Sequence, residues 1–262
     1  MDRVKIFQVD AFASNLFAGN PAAICPLDDW LDDKVMQSIA MENNLSETAF
    51  FVIRDNKFYL RWFTPKAEID LAGHPTLATA HIIFTEILPG KNNIQFHTKF
   101  GDLLTVSLKK NILSMDFPSY SPMPETSKLK EVSTALKSTP SKFLFGKYGM
   151  AVYENEQDIL KISPNYDALM DLDYNGIIVT APGNSCDFVS RFFAPKLGIY
   201  EDPVTGSAHC ELIPYWSKIF NKRNMLARQL SHRGGELHCS YLGERVIIGG
   251  KAVTYMRGEL ML

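Results

Sequence analysis

The 262-residue chain is 46% hydrophobic and 21% charged, the balance of a packed globular protein and unlike that of a disordered or membrane-spanning one. Its length suits one large domain or two of about 130 residues each, and a net charge of −2 gives no surplus for binding nucleic acid or an anionic membrane. The four cysteines, Cys25, Cys186, Cys210 and Cys239, lie far apart with no C-x-x-C pair, a spacing that supports neither a zinc site nor a disulfide framework, so buried free thiols are expected.

The opening "MDRVKIFQVDAFA" puts charges where a secretory signal needs its apolar run, and no window of about 18 apolar residues is present for a membrane span, so a cytoplasmic chain is expected. "VKIFQVDAFA" alternates as a strand does and enters a loop in "SNLFAGNPAAI". "LDDKVMQSIAMENN" places Leu31, Val35, Met36, Ile39 and Ala40 on one helical face, with Asp residues in the first turn. "ETAFFVI", "FYLRWFTP" and "NIQFHTKFGDLLTVSLKKNILSMDFP" are rich in β-branched and aromatic residues and read as consecutive antiparallel strands. Between them, "AGHPTLATAHIIFTEIL" suits a buried helix begun by its proline. "PSYSPMPETSK" marks a crossover, after which the order recurs: "GIIVTAPG" and "DFVSRFFAP" as strands, "DPVTGSAHCELIPYWSKIF" as a helix, then strands to the end.

The recurrence extends to the residues. "RWFTPKAEI" (61–69) matches "RFFAPKLGI" (191–199) at an offset of 130, and after a two-residue gap "HPTLATAH" (74–81) matches "DPVTGSAH" (202–209). A period this long fits two similar lobes and not a solenoid; the boundary falls between 1–117 and 118–262, with the final strand free to cross back. In this alignment His74 and Asp202 are equivalent, each just before a proline at a helix start. If the lobes are related by a pseudo-twofold axis, both helix starts face one cleft.

Two helix N-termini supply N–H donors and partial positive charge, so the natural ligand is anionic, most simply a carboxylate. Gly73 and Gly206 would allow close backbone approach, and Thr205 and Ser207 add hydroxyls. Glu47, between a helix end and an apolar strand in "NNLSETAFFV", could take and return a proton if partly buried. On residue type alone, the simpler reading is a strand-end carboxylate for Glu47, a turn residue for His74 and an N-cap for Asp202. His81 and His209, inside their helices, read as core or interface histidines, and no metal-ligand spacing is present among the six histidines. Phe12, Asn20 and Tyr200 are further candidates for pocket lining, by neighbourhood only.

"QVDAFASNLFAGNPAAI", "NLSETAFF", "RWFTPKAEIDLAGHPTLATA", "EDPVTGSAH" and the closing "VIIGGKAVTYMRGEL" together resemble the PhzF-type proteins, the phenazine biosynthesis isomerase and its relatives, over essentially the whole chain. The resemblance implies an α+β, diaminopimelate-epimerase-like fold: two pseudo-symmetric lobes, each a β-barrel-like sheet around a central helix, with the site between them. It implies isomerisation by proton transfer without cofactor or metal, Glu47 matching the general acid/base, His74 and Asp202 the catalytic polar residues flanking the substrate, and Gly73, Gly206 and Ser207 the donors around its carboxylate. It also implies a homodimer acting on a small carboxylic acid, with neither nucleic acid nor membrane as partner. Related epimerases use two cysteines at the paired helix starts; here those places hold His74 and Asp202, while Cys210 lies inside its helix, which argues against a two-thiol mechanism. An amino-acid-type epimerase or racemase and a non-catalytic small-acid binder stay open beside the isomerase reading.

Overall fold

The computed structural model describes residues 3–99 and 101–262 of the chain. Two compact units are present, one running to Asp116 and including Gly249–Leu262, the other Phe117–Ile248.

The first unit contains, in chain order, strands β1 (Arg3–Ala11) and β2 (Asn20–Leu27), helix α1 (Asp33–Asn43), strands β3 (Glu47–Arg54), β4 (Lys57–Phe63) and β5 (Glu68–Ile69), helix α2 (Gly73–Ile82), and strands β6 (Asn93–Thr98), β7 (Leu103–Lys109) and β8 (Ile112–Pro118). β1 and β2 are antiparallel, β2 and β3 parallel, β3 and β4 antiparallel, β4 and β6 parallel, β6 and β7 antiparallel. The expectation of consecutive antiparallel strands therefore fails between β4 and β6, because the intervening helix carries the chain back to the end of the sheet from which β4 started. The loop expected in "SNLFAGNPAAI" is shorter than its sequence suggests, since β2 begins at Asn20.

α2 is buried on nearly every side and packs on β1, β2 and β3. Its residues are apolar or small all round, the pattern of a helix enclosed by its own sheet. The hydroxyls that would be unsatisfied there bond back along the helix, Thr76 to the Ala72 carbonyl (2.5 Å) and Thr79 to that of Pro75 (2.7 Å). On α1, Met36, Ile39 and Ala40 are buried as expected, whereas Val35 is exposed.

The second unit holds strand β9 (Met123–Pro124), helix α3 (Leu129–Leu136), strands β10 (Lys142–Phe145) and β11 (Gly149–Val152), short helices α4 (Glu156–Lys161) and α5 (Tyr166–Asp171), strands β12 (Ile177–Pro182) and β13 (Phe188–Phe193), helix α6 (Gly206–Phe220), and strands β14 (Asn224–Gln229), β15 (Gly235–Tyr241) and β16 (Arg245–Gly250). β10 and β11 are antiparallel, β11 and β12 parallel, β12 and β13 antiparallel, β13 and β14 parallel, β14 and β15 antiparallel. This is the same alternation as in the first unit, with α6 in the place of α2. The last strand, β17 (Ala252–Met261), pairs antiparallel along β1 in the first unit.

A shared device accompanies the shared order. Arg61 on β4 grips Glu68 through Nε and Nη2 at 2.7 and 2.9 Å, and Arg191 on β13 grips Glu201 the same way at 2.7 and 3.0 Å. Each guanidinium also lies over the Phe two residues further on, Phe63 or Phe193. In both units this fork-to-fork pair closes the loop between strand and central helix. Two copies of one supersecondary plan account for both the residue matches and the strand order.

Candidate active site

In the first unit, the start of β3 meets the start of α2. Asn44, left-handed at φ 48°, ends α1, and the Asn43 amide donates to the Thr48 hydroxyl (3.1 Å), so the chain turns sharply into Glu47. Glu47 opposes Ala22 in the parallel register, next to Pro21. His74 is the second residue of α2, and its Nε2 lies 3.1 Å from Glu47 Oε2, with the two side chains 8% and 12% exposed. The His74 ring also makes a hydrogen bond to the Pro21 backbone, which has only a carbonyl to offer.

That bond sets the tautomer. Burial pushes His74 down to about 3, so the imidazole is neutral near pH 7 and its single N–H goes to Pro21. Nε2 is then a lone pair facing a carboxyl oxygen, a contact that is favourable when one proton lies between them. The pair thus sets a hydrogen-bond acceptor against the Glu47 carboxyl group.

The loop behind Pro21 is wound tightly. Phe12 and Phe17 have φ of 59° and 69°, unusual for residues with a side chain. Gly19 is required: a Cβ there would fall 2.1 Å from the Ala11 carbonyl oxygen. The Asp10 carboxylate accepts the Phe17 N–H at 3.0 Å, fixing the loop from inside.

In the second unit, Asp202 and the start of α6 form one network. The Thr205 hydroxyl donates to Asp202 Oδ2 (2.5 Å); the Gln229 side chain accepts the Thr205 N–H (2.9 Å) and donates to the Asp202 carbonyl (2.7 Å). These bonds hold residues 202–205 in a non-helical turn, so α6 begins at Gly206, three residues after Pro203, while α2 begins two residues before Pro75. The expectation that each proline starts its helix is corrected in both copies, and Asp202 is no helix N-cap, because α6 begins only at Gly206. Among the described residues neither helix N-cap makes a side-chain cap hydrogen bond. A Cβ on Gly206 would meet nothing within 4 Å, so packing does not demand glycine there. The Ser207 hydroxyl, one residue on, lies 3.0 Å from that of Tyr148.

Glu47 and His74 are thus brought together, as are Asp202, Gly206 and Ser207; Gly73 precedes His74 at the α2 start. His209 is fully buried and donates to the Thr205 carbonyl at 2.8 Å, as a core histidine does, whereas His81 is half-buried and meets the Thr254 hydroxyl at 3.1 Å. Cys25, Cys210 and Cys239 are buried and Cys186 partly so, all free; burial pushes Cys210 up to about 12, leaving it unreactive near neutral pH. Of the pocket candidates, Phe12 and Asn20 are buried, whereas Tyr200 is 64% exposed, its ring 4.8 Å from that of Tyr166. Pro21, Tyr148, Glu211 and Gln229 were not anticipated, since each contributes through a backbone group or a partner distant in sequence. Among the described residues no cluster of three or more His, Cys, Asp or Glu side chains has metal-site geometry, and no helix is long and apolar enough to cross a membrane.

The family model of phenazine biosynthesis-like proteins, PhzC-PhzF, matches residues 9–258. An uncharacterized isomerase of Pseudomonas aeruginosa is 46% identical over 259 residues, which span 99% of each chain. The crystal structure of a PhzF-family phenazine biosynthesis protein from Enterococcus faecalis is similar with a TM-score of 0.97 and 46% identity, covering 100% of both chains. A hydroxyproline epimerase from Agrobacterium vitis, at 8% identity and a TM-score of 0.63 over 98% of this chain and 92% of its own, shares the fold alone. The fold is therefore α+β and diaminopimelate-epimerase-like, and the chain belongs to the PhzC-PhzF family of phenazine biosynthesis-like proteins.

Proposed function

We propose that this protein is a cofactor-independent isomerase that moves a proton between carbons of a small carboxylic acid. The observation that carries the reading is the buried contact of Glu47 with a neutral His74 at 3.1 Å. Relatives named as isomerases support the reaction class.

In this reading the Glu47 carboxylate takes a proton from a substrate carbon, and the electron pair left behind spreads into the adjoining unsaturated system. The protonated Glu47 donates to His74 Nε2, so His74 stabilises the state in which the base holds the substrate proton. Glu47 then delivers the proton to a second carbon. The Gly73 N–H in the first unit, and the Gly206 N–H and Ser207 hydroxyl in the second, are the proposed donors to carboxylate charge, and Asp202 the proposed partner of a polar substituent. Electrons and protons balance without any co-reactant.

One feature favours isomerisation over racemisation. In the matching registers Phe63 pairs with Thr48 and Phe193 with Ile177, so the place of Glu47 falls to Gly176, which has no side chain to carry a proton. A two-base inversion needs a second proton donor on the opposite face, and the duplicated plan supplies none at that position. The test is an NMR screen in deuterated water of small unsaturated and hydroxy carboxylic acids, dihydro-hydroxyanthranilate among them. Deuterium at a carbon other than the one losing hydrogen is expected; exchange at one stereocentre with inversion would support an epimerase, and saturable binding without exchange a binding protein.

A further inference from the structure

Ser207 does not stand alone at the α6 start. Its Oγ lies 3.0 Å from the Tyr148 hydroxyl. Two hydroxyls carry two protons, and one hydrogen bond between them uses one. The other proton remains for an acceptor at this helix start. When the more acidic phenol donates to Ser207, the serine proton is the one directed outward.

Tyr148 is held in place from three sides. Its ring packs edge-on against Phe192, centroids 4.9 Å apart, and the Phe192 carbonyl accepts the Asp202 N–H at 3.0 Å. The turn that carries it is bound by Glu211, whose Oε1 accepts the N–H groups of both Lys147 and Tyr148 at 3.0 Å. Glu211 follows Ser207 by four residues and so shares its face of α6. Gly146 completes the fit, since a Cβ there would fall 2.5 Å from Glu211 Oε2.

Glu211 has no exposed surface, and among the described residues its Oε2 has no hydrogen-bond partner. Burying a carboxyl with one oxygen unsatisfied is costly. The cost is offset here by fixing the Tyr148 turn against the first turn of α6.

We propose that Tyr148 is a positioning residue for substrate binding: its phenol donates to Ser207 Oγ and turns the serine O–H toward a substrate carboxylate, with Glu211 seating the turn that carries it. This rests on Ser207 being a carboxylate contact. It adds a hydrogen-bond relay running from Glu211 through the 146–148 turn to the ligand.

The test is calorimetric titration of the full chain with benzoate, a stable carboxylate probe, for wild type, Tyr148→Phe, Ser207→Ala and the double variant. Tyr148→Phe keeps the ring packing and should weaken benzoate by about 3–10-fold, the size of one hydrogen bond. The double variant should bind no more weakly than Ser207→Ala, because Tyr148 acts through Ser207. Glu211→Ala should lose as much as Tyr148→Phe, and Glu211→Gln less, since the amide oxygen still accepts both N–H groups. Wild-type affinity in Tyr148→Phe beside a loss in Ser207→Ala, or additive losses in the double variant, would overturn the role of Tyr148 and leave the carboxylate site standing. No benzoate binding by wild type, or none lost in Ser207→Ala, would overturn the carboxylate contact itself and the proposal with it.

Discussion

At residue scale the proposed chemistry turns on a hydrogen bond between the His74 ring and the Pro21 carbonyl. By taking the only proton of a buried neutral imidazole, the Pro21 carbonyl leaves His74 Nε2 as an acceptor 3.1 Å from Glu47. The Glu47 side of this site was visible in "LSETAF", but the direction of the proton was not, because a backbone carbonyl has no signature in sequence. Gly206 offers a second residue-scale test. Its backbone is not left-handed and a Cβ would meet no atom, so Gly206→Ala should melt within about 1 °C of wild type. Yet it should weaken a carboxylate probe at least several-fold, because the methyl would occupy the approach to the first-turn N–H groups. Unaltered binding in calorimetry would remove Gly206 from the site.

Glu211 adds a pH dependence. Burial pushes it up to about 7, against an ordinary 4.5, so between these values the folded chain holds a proton that the unfolded chain has released. Its contribution to stability therefore falls as pH rises through that window, by on the order of 3 kcal/mol at most. His74 and His209 act in the opposite sense. Burial pushes them down to about 3 and about 4, so the stability they lend is complete above pH 6.5 and is lost as pH falls below it. In wild type the two slopes partly cancel between pH 7 and 5. In Glu211→Gln they no longer do, and urea midpoints should fall more steeply on acidification; parallel profiles would show that Glu211 does not titrate there.

At the scale of elements, the duplicated Arg–Glu pairs hold the loops that end in the functional helix starts. Glu201 is the immediate neighbour of Asp202, and Arg191 ties it also to the carbonyls of Ile159 and Ile162 at 3.0 and 2.8 Å. Removing Arg191 leaves a partly buried carboxylate and two carbonyls without this cation, so Arg191→Ala should cost roughly 3 kcal/mol in urea unfolding. Arg3→Ala breaks only an exposed pair with Glu259 and should cost less than about 1 kcal/mol. Equal effects would mean that the buried fork is decorative. The arginines were legible as matching positions at the offset of 130. Their partners were not, since Glu68 follows by seven residues and Glu201 by ten. The helix starts were misplaced for a related reason. A proline marks where a helix can begin, but Gln229, 27 residues beyond Asp202, occupies the backbone groups of the 202–205 turn and delays α6 to Gly206. Local sequence cannot register a competitor that arrives from another strand.

At the scale of the whole molecule, the chain is two variations on one plan, and the differences between them carry the function. The alternation of strand directions is the same in both units; the repeated phrase around "RWFTP" and "RFFAP" revealed the duplication but not the parallel pairings. The short helices α3 to α5 between the copies did not stand out, being only six to eight residues long, too brief for periodicity to rise above background. What the duplication withholds bears most on the proposed reaction: a carboxylate opens β3, and its place in the second copy holds Gly176. The proposed single acid/base rests on that asymmetry. The most direct test compares wild type with Glu47→Gln in deuterated water, using the carboxylic acid that wild type labels. Glu47→Gln should fold and bind as wild type does while losing deuterium transfer by at least about 100-fold. Transfer at the wild-type rate in a folded Glu47→Gln would contradict the account, because the proton would then be carried by another group.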